Sequence, residues 1–184
     1  MLFLTAAALL LGVWQPYRKA QQIRAKLQSM DWADSSNEEV RNFAREFGGT
    51  FACEKEWCEA EIHVSNRVLS ALRLAPPIDF RTLIHTQSNR VANVSLTLTN
   101  VGRGASSILI AETFEPNGLA LQGRDYVVDR GRGRNAPFVA VRISATTARN
   151  QGMMMINNLN IACLRRLSGC TMQQLGPGIW NLGG

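Results

Sequence analysis

VANVSLTLTN, residues 91–100, alternates apolar and polar side chains along its length. Ala92, Val94, Leu96 and Leu98 fall on one side, and Asn93, Ser95, Thr97 and Thr99 on the other. A period of two is the pattern of a strand whose successive side chains point to opposite faces. One apolar and one polar face predict an antiparallel strand with its polar face in water.

The same period recurs on both sides of this stretch. FRTLIHT (80–86) precedes it, and SSILIAETF (106–114), RDYVVD (124–129), PFVAVRISA (137–145) and MMMINNL (153–159) follow it. Polar turns rich in Gly, Asn and Arg separate these segments and read as the connections of a meander.

Upstream lies FACEKEWCEAEIHV (51–64). In its second half Ala60, Ile62 and Val64 face one way and Glu59, Glu61, His63 and Ser65 the other, predicting a second strand. The four cysteines form two local pairs, Cys53 with Cys58 and Cys163 with Cys170. Neither spacing matches a zinc knuckle or a C-x-x-C redox pair. A disulfide needs only that the two Cα atoms come within about 5.5 Å. A hairpin turn at EKEW would meet that for the first pair, and a helical turn ending at Gly169 for the second. Two disulfides imply an oxidising compartment.

Helical signals occupy the first third. NEEVRNFAREF carries Val40, Phe43, Ala44 and Phe47 at i, i+3, i+4 and i+7. Asp34 to Ser36 offer N-caps, and Gly48-Gly49 stops the helix. NRVLSALRL (66–74) predicts a short helix burying Val68, Leu69 and Leu72, ended by Ala75-Pro76-Pro77. ACLRRLSGC predicts a short helix near the C-terminus. YRKAQQIRAKLQSM (17–30) has a narrow apolar stripe of Ala20, Ile23, Leu27 and Met30 with basic residues elsewhere, the look of a stalk.

From Met1 to Trp14 there is no charged residue. Such a run falls short of the roughly 20 residues that span a bilayer. Gln15 to Tyr17 extend it, with Trp14 and Tyr17 suited to the head-group belt. Arg18, Lys19, Arg24 and Lys26 follow, where a cleavage site would stand in a signal peptide. By the positive-inside rule they favour a cytoplasmic C-terminal side, against export. A start codon placed too late, a buried core helix and an inward-facing anchor are alternatives. With the cysteines weighed in, an uncleaved anchor on an exported domain is the expectation.

The whole is therefore expected to be α+β. An N-terminal apolar anchor or stalk helix and amphipathic helices precede a mainly antiparallel sheet of about six to eight strands. Residues 1–17 are the anchor or signal-like segment, 18–34 the stalk helix and linker, and 35–184 a single extracytoplasmic domain. This plan of stalk helix, sheet and C-terminal cysteine loop resembles type IV pilins and pseudopilins in outline. Those families carry a processing glycine before the apolar segment and usually a glutamate five residues into it. Here that position is Thr5, and no such glycine precedes it.

Chemistry is thinly signalled. Glu59, Glu61 and His63 share one strand face, and His85 lies on a neighbouring strand, so the four are weak candidates for a divalent ion or an acid/base pair. Alternation alone also predicts that face as solvated. There is no G-x-S-x-G and no S-x-x-K. GRGA (102–105) lacks the lysine of a phosphate loop. No catalytic residue and no cofactor is assigned.

The formal net charge of +6 favours anionic partners. Arg124, Arg130, Arg132 and Arg134 cluster around glycines and read as a basic hairpin tip for an anionic polymer or lipid. The lack of interleaved aromatics beyond Tyr126 speaks against nucleic acid. The expected partners are the membrane, through the N-terminal segment, and another envelope protein or a second copy of the chain. Three functions compete: a membrane-tethered binding or assembly domain in the periplasm or at the cell surface, a subunit of a pilus- or secretion-type assembly, and a periplasmic metal-dependent hydrolase.

Overall fold

A computed structural model describes residues 2–101, 106–114, 126–132, 137–144 and 155–180. It is α+β, with a seven-stranded sheet and helices packed on one of its faces. The strands are β1 (Thr50–Glu54), β2 (Trp57–Ser65), β3 (Ile78–Gln87), β4 (Arg90–Asn100), β5 (Ser106–Thr113), β6 (Tyr126–Arg132) and β7 (Pro137–Ser144). Their spatial order is β1-β2-β3-β4-β5-β7-β6. β1 to β5 form the expected antiparallel run.

The hairpins follow from local turn chemistry. β1 and β2 meet through Lys55-Glu56, with Lys55 at φ 56°. The Cys53–Cys58 disulfide joins directly opposed residues with Cα atoms 4.0 Å apart. β3 and β4 meet through Ser88-Asn89, both at positive φ, the conformation whose twist matches paired strands.

The meander breaks after β5. β7 inserts between β5 and β6 and pairs with β5 in parallel, where the sequence predicts simple succession. The side chains account for the exchange. Val139, Ala140, Val141 and Ile143 of β7 are buried and suit an interior strand. β6 carries Asp129, Arg130, Gly131 and Arg132, which protect an edge against further pairing. The expected strand over 153–159 is not formed where the chain is described: Ile156–Asn158 is a 3-10 turn. Met153 and Met154 lie outside the described residues. Asn160 fastens the C-terminal segment instead, its backbone N–H donating to Leu175 and its side chain to the Gln174 carbonyl.

α1 (Leu2–Ser29) is one continuous helix containing Pro16. No helix among the described residues is long and apolar enough to cross a membrane. The stretch expected to be a free stalk is part of the body. Ala20, Ile23 and Leu27 are fully buried in the same cluster as Val94, Leu96 and Ile108 of the sheet. A stripe of two branched aliphatics and an alanine is enough, because each buried Ile or Leu contributes about 1.5–3 kcal/mol. Trp32, in the 3-10 turn Trp32–Asp34, is also fully buried. Its Nε1–H donates to the Leu27 carbonyl at 2.7 Å, and its ring meets Phe43 edge-on at 5.3 Å.

α2 (Asn37–Glu46) forms as its pattern predicts, with Val40, Phe43, Ala44 and Phe47 buried. Ser36 and Glu39 make a reciprocal capping box. Gly49 lets this helix end against the sheet edge: a Cβ there would lie 2.4 Å from the Glu61 carbonyl oxygen. α3 (Arg67–Ala71) buries Leu69, but Val68 and Leu72, expected inside, are exposed. Only one turn and a half is helical, too short for a three-residue buried stripe. The buried Asn66 closes this loop, accepting from the Ile78 N–H at 2.8 Å and donating to the Pro76 carbonyl at 3.0 Å.

Candidate functional site

The sheet face opposite the helices is the face that alternation left polar. Glu59, Glu61 and His63 of β2 do lie together on it, and His85 of β3 joins them. They do not converge on a point. His85 Nδ1 is 3.6 Å from Glu59 Oε2, His63 Nε2 is 3.1 Å from Asp79 Oδ1, and Arg81 Nε is 2.6 Å from Glu61 Oε1. Three cross-strand pairs result, each directly or diagonally opposed in register. Arg81 takes a carboxylate that an ion would need. Among the described residues no group of three or more His, Cys, Asp or Glu side chains is placed to hold a metal ion.

The centre of this face carries hydroxyls and amides. Asn93 donates to Thr113 Oγ1 at 3.2 Å, and Thr97 and Thr99 stand on the same side of β4. Asp129 and Arg142 form a further pair across β6 and β7. Partly exposed Leu83 and Leu109 stand among these groups, paired in register with Ser95 and Thr97, and charge lies at the flanks of the face.

Of the four arginines expected at a hairpin tip, Arg130 and Arg132 lie within β6, exposed on the sheet edge and paired in register with Val139 and Pro137. Arg124 and Arg134 lie outside the described residues. The two described arginines of this set therefore stand on a strand, on the outer edge of the sheet.

A cleft of about 600 Å³ opens where β1 stops pairing and the end of β2 is left bare. Lys19 of α1, Gly48, Gly49, Glu61, His63 and Arg67 line it. Both signs of charge face it, and Arg67 Nε–H donates to the Ser65 hydroxyl there at 3.2 Å.

A second cluster was not foreseen from sequence. Trp14 and Tyr17 of α1 meet edge-on at 6.0 Å. The guanidinium of Arg165, from the loop closed by Cys163–Cys170, lies 4.8 Å from the Trp14 ring centre and 4.4 Å from that of Tyr17. Arg18 approaches the Trp14 ring at 6.0 Å. The only sequence signal for this was the Trp14, Tyr17 and Arg18 spacing on one helix, and its partner comes from about 150 residues away.

No protein-family model, no curated protein and no solved structure matches the chain.

Proposed function

We propose that this chain is a membrane-tethered, extracytoplasmic domain that works by binding or assembly and not by catalysis. One observation carries the reading. A single helix, α1, is core from Ala20 onward, yet its first half is an uncharged apolar sequence on the same continuous helix. Anything that holds the first half therefore holds the whole domain without a flexible joint. The two disulfides support an oxidising location, the periplasm or cell surface. The polar open face of the sheet is the surface left for a partner.

The reading is tested on protein in its native envelope. Membrane fractions are washed at high pH, and thiols are alkylated before and after reduction and counted by intact mass. Retention in the membrane with all four cysteines protected is the expected result. Release into the wash, or four free thiols, overturns it.

A subunit of a surface filament is a second reading, favoured by the same rigid union of apolar helix and sheet. Extended polymers of the full chain, seen after removal from the membrane, would support it over the first.

A further inference from the structure

The end of the molecule that carries α3 has an unusual surface. Trp14, Val68, Leu72, Leu74, Val101 and Leu167 are exposed, and Trp57 is a further exposed large hydrophobic that lies elsewhere. Leu72, Leu74 and Leu167 are 50%, 51% and 60% accessible. Four contacts bring these residues to one end. A Cβ on Gly12 would lie 3.0 Å from Val68, so α1 passes α3 there. Val101 N–H bonds to the Pro77 carbonyl just after the α3 loop. Gly169, two residues beyond Leu167, abuts Pro76. Arg165 lies on Trp14. Trp57 stands at the other end of β2, about 27 Å away at the usual rise per strand residue.

Arginines alternate with these apolar side chains. Arg67 and Arg73 flank α3, and Arg166 adjoins Leu167, all exposed. Arg18 and Arg165 sit on the aromatic pair below. Apolar side chains to enter the acyl boundary, aromatics at head-group level and guanidiniums for phosphate are the composition of a surface that lies on an anionic bilayer. The apolar half of α1 passes against this surface where Gly12 meets Val68 of α3.

We infer that the α3 end, formed by Leu72, Leu74 and Leu167 with Arg67, Arg73 and Arg166, seats the domain directly on an anionic phospholipid surface. This rests on the tethered reading above and deepens it. The domain does not hang clear of the membrane on a stalk; it lies against it. The open polar face of the sheet then stands roughly upright from the bilayer, accessible from the side.

The test uses the full chain reconstituted into vesicles of phosphatidylcholine, with and without phosphatidylglycerol, containing brominated lipid. A fluorophore is attached at Leu74→Cys in one sample and at Trp57→Cys in another. The expected result is strong quenching at 74, little at 57, and a several-fold rise at 74 when phosphatidylglycerol is added. The Arg67→Gln/Arg73→Gln double variant should lose that rise, since each arginine near an anionic surface is worth about five-fold in partitioning. All the changed residues are exposed, so the fold is expected to survive, and near-ultraviolet dichroism checks it. A chain that floats with the vesicles but is unquenched at 74 overturns this inference and leaves the tether standing. Equal quenching at 74 in neutral and anionic vesicles overturns the assignment to anionic lipid. A chain that does not float at all overturns the tethered reading, and this inference with it.

Discussion

The guanidinium of Arg165 lies 4.4 Å from the ring centre of Tyr17, so the C-terminal cysteine loop is tied to the N-terminal helix. Cys163 is fully buried, and its bond to Cys170 closes a loop with a sequence separation of 7. Loop-closure entropy for a ring of that size is worth about 2.5 kcal/mol. The Cys163→Ser/Cys170→Ser variant should lose about that much in urea unfolding. Hydrogen exchange in residues 14–20 should rise with it, because the loop that carries Arg165 is then free to move. Loss of stability without any change in α1 exchange would show that the stack does not hold the helix.

Trp32 fills the space between α1 and α2 and satisfies its own N–H on Leu27. Trp32→Ala removes a fully buried indole and is expected to cost about 3–5 kcal/mol. Trp32→Phe keeps much of the volume and should cost clearly less, while leaving the Leu27 carbonyl without that donor. Equilibrium unfolding of the two variants side by side gives the ordering.

Glu39 is the group whose titration should be visible in stability. Its carboxyl is held below the ordinary glutamate range by the Ser36 backbone N–H first and the Ser36 hydroxyl second, with burial opposing slightly. A carboxyl that is more acidic folded than unfolded stabilises the fold above the unfolded value, near pH 4.3. That contribution fades as pH falls through the folded value. Glu39→Gln should therefore be less stable than the parent at neutral pH, and the gap should close in acid, once the carboxyl is protonated in both states. Ser36→Ala, which removes the cap itself, should cost about 1 kcal/mol at neutral pH. Urea midpoints at neutral and at acid pH decide the matter.

What was legible in the sequence was local. The period of two over residues 91–100, the cysteine hairpin and the helix from Asn37 were all readable, because alternation, turn residues and caps act within a few positions. The insertion of β7 was not, since it depends on which of two strands, one arginine-rich and one aliphatic, is left at the edge. Trp32 was passed over because it sits in a break between helices, where no periodicity marks it. Val68 and Leu72 followed a helical stripe that the short α3 does not complete. The stripe at Ala20, Ile23 and Leu27 was seen, but its destination was not: a narrow apolar stripe serves a stalk or a sheet equally well. At the candidate site the members of the polar face were readable from alternation, and their pairing was not. Register set Asp79 and Arg81 diagonally across from His63 and Glu61, a placement that alternation within one strand does not reveal.

That register sets the expectation for the polar face. The pairs Glu59–His85, His63–Asp79 and Glu61–Arg81 are all between a third and a half accessible, where solvent and salt weaken an ion pair to 0–1 kcal/mol or so. Glu61→Gln and His63→Ala should each shift unfolding by no more than about 0.5 kcal/mol. The reason is that the partner left behind is already open to water and is solvated there. A structural or catalytic ion held by these side chains would behave differently. Its removal would lower the thermal midpoint, and the loss would be recovered on adding the ion back. The expected outcome is that a chelator leaves the midpoint of freshly isolated protein unchanged and that metal analysis gives well under one ion per chain. A stoichiometric divalent ion lost together with stability, in the parent but not in His63→Ala, would instead make this face a metal centre.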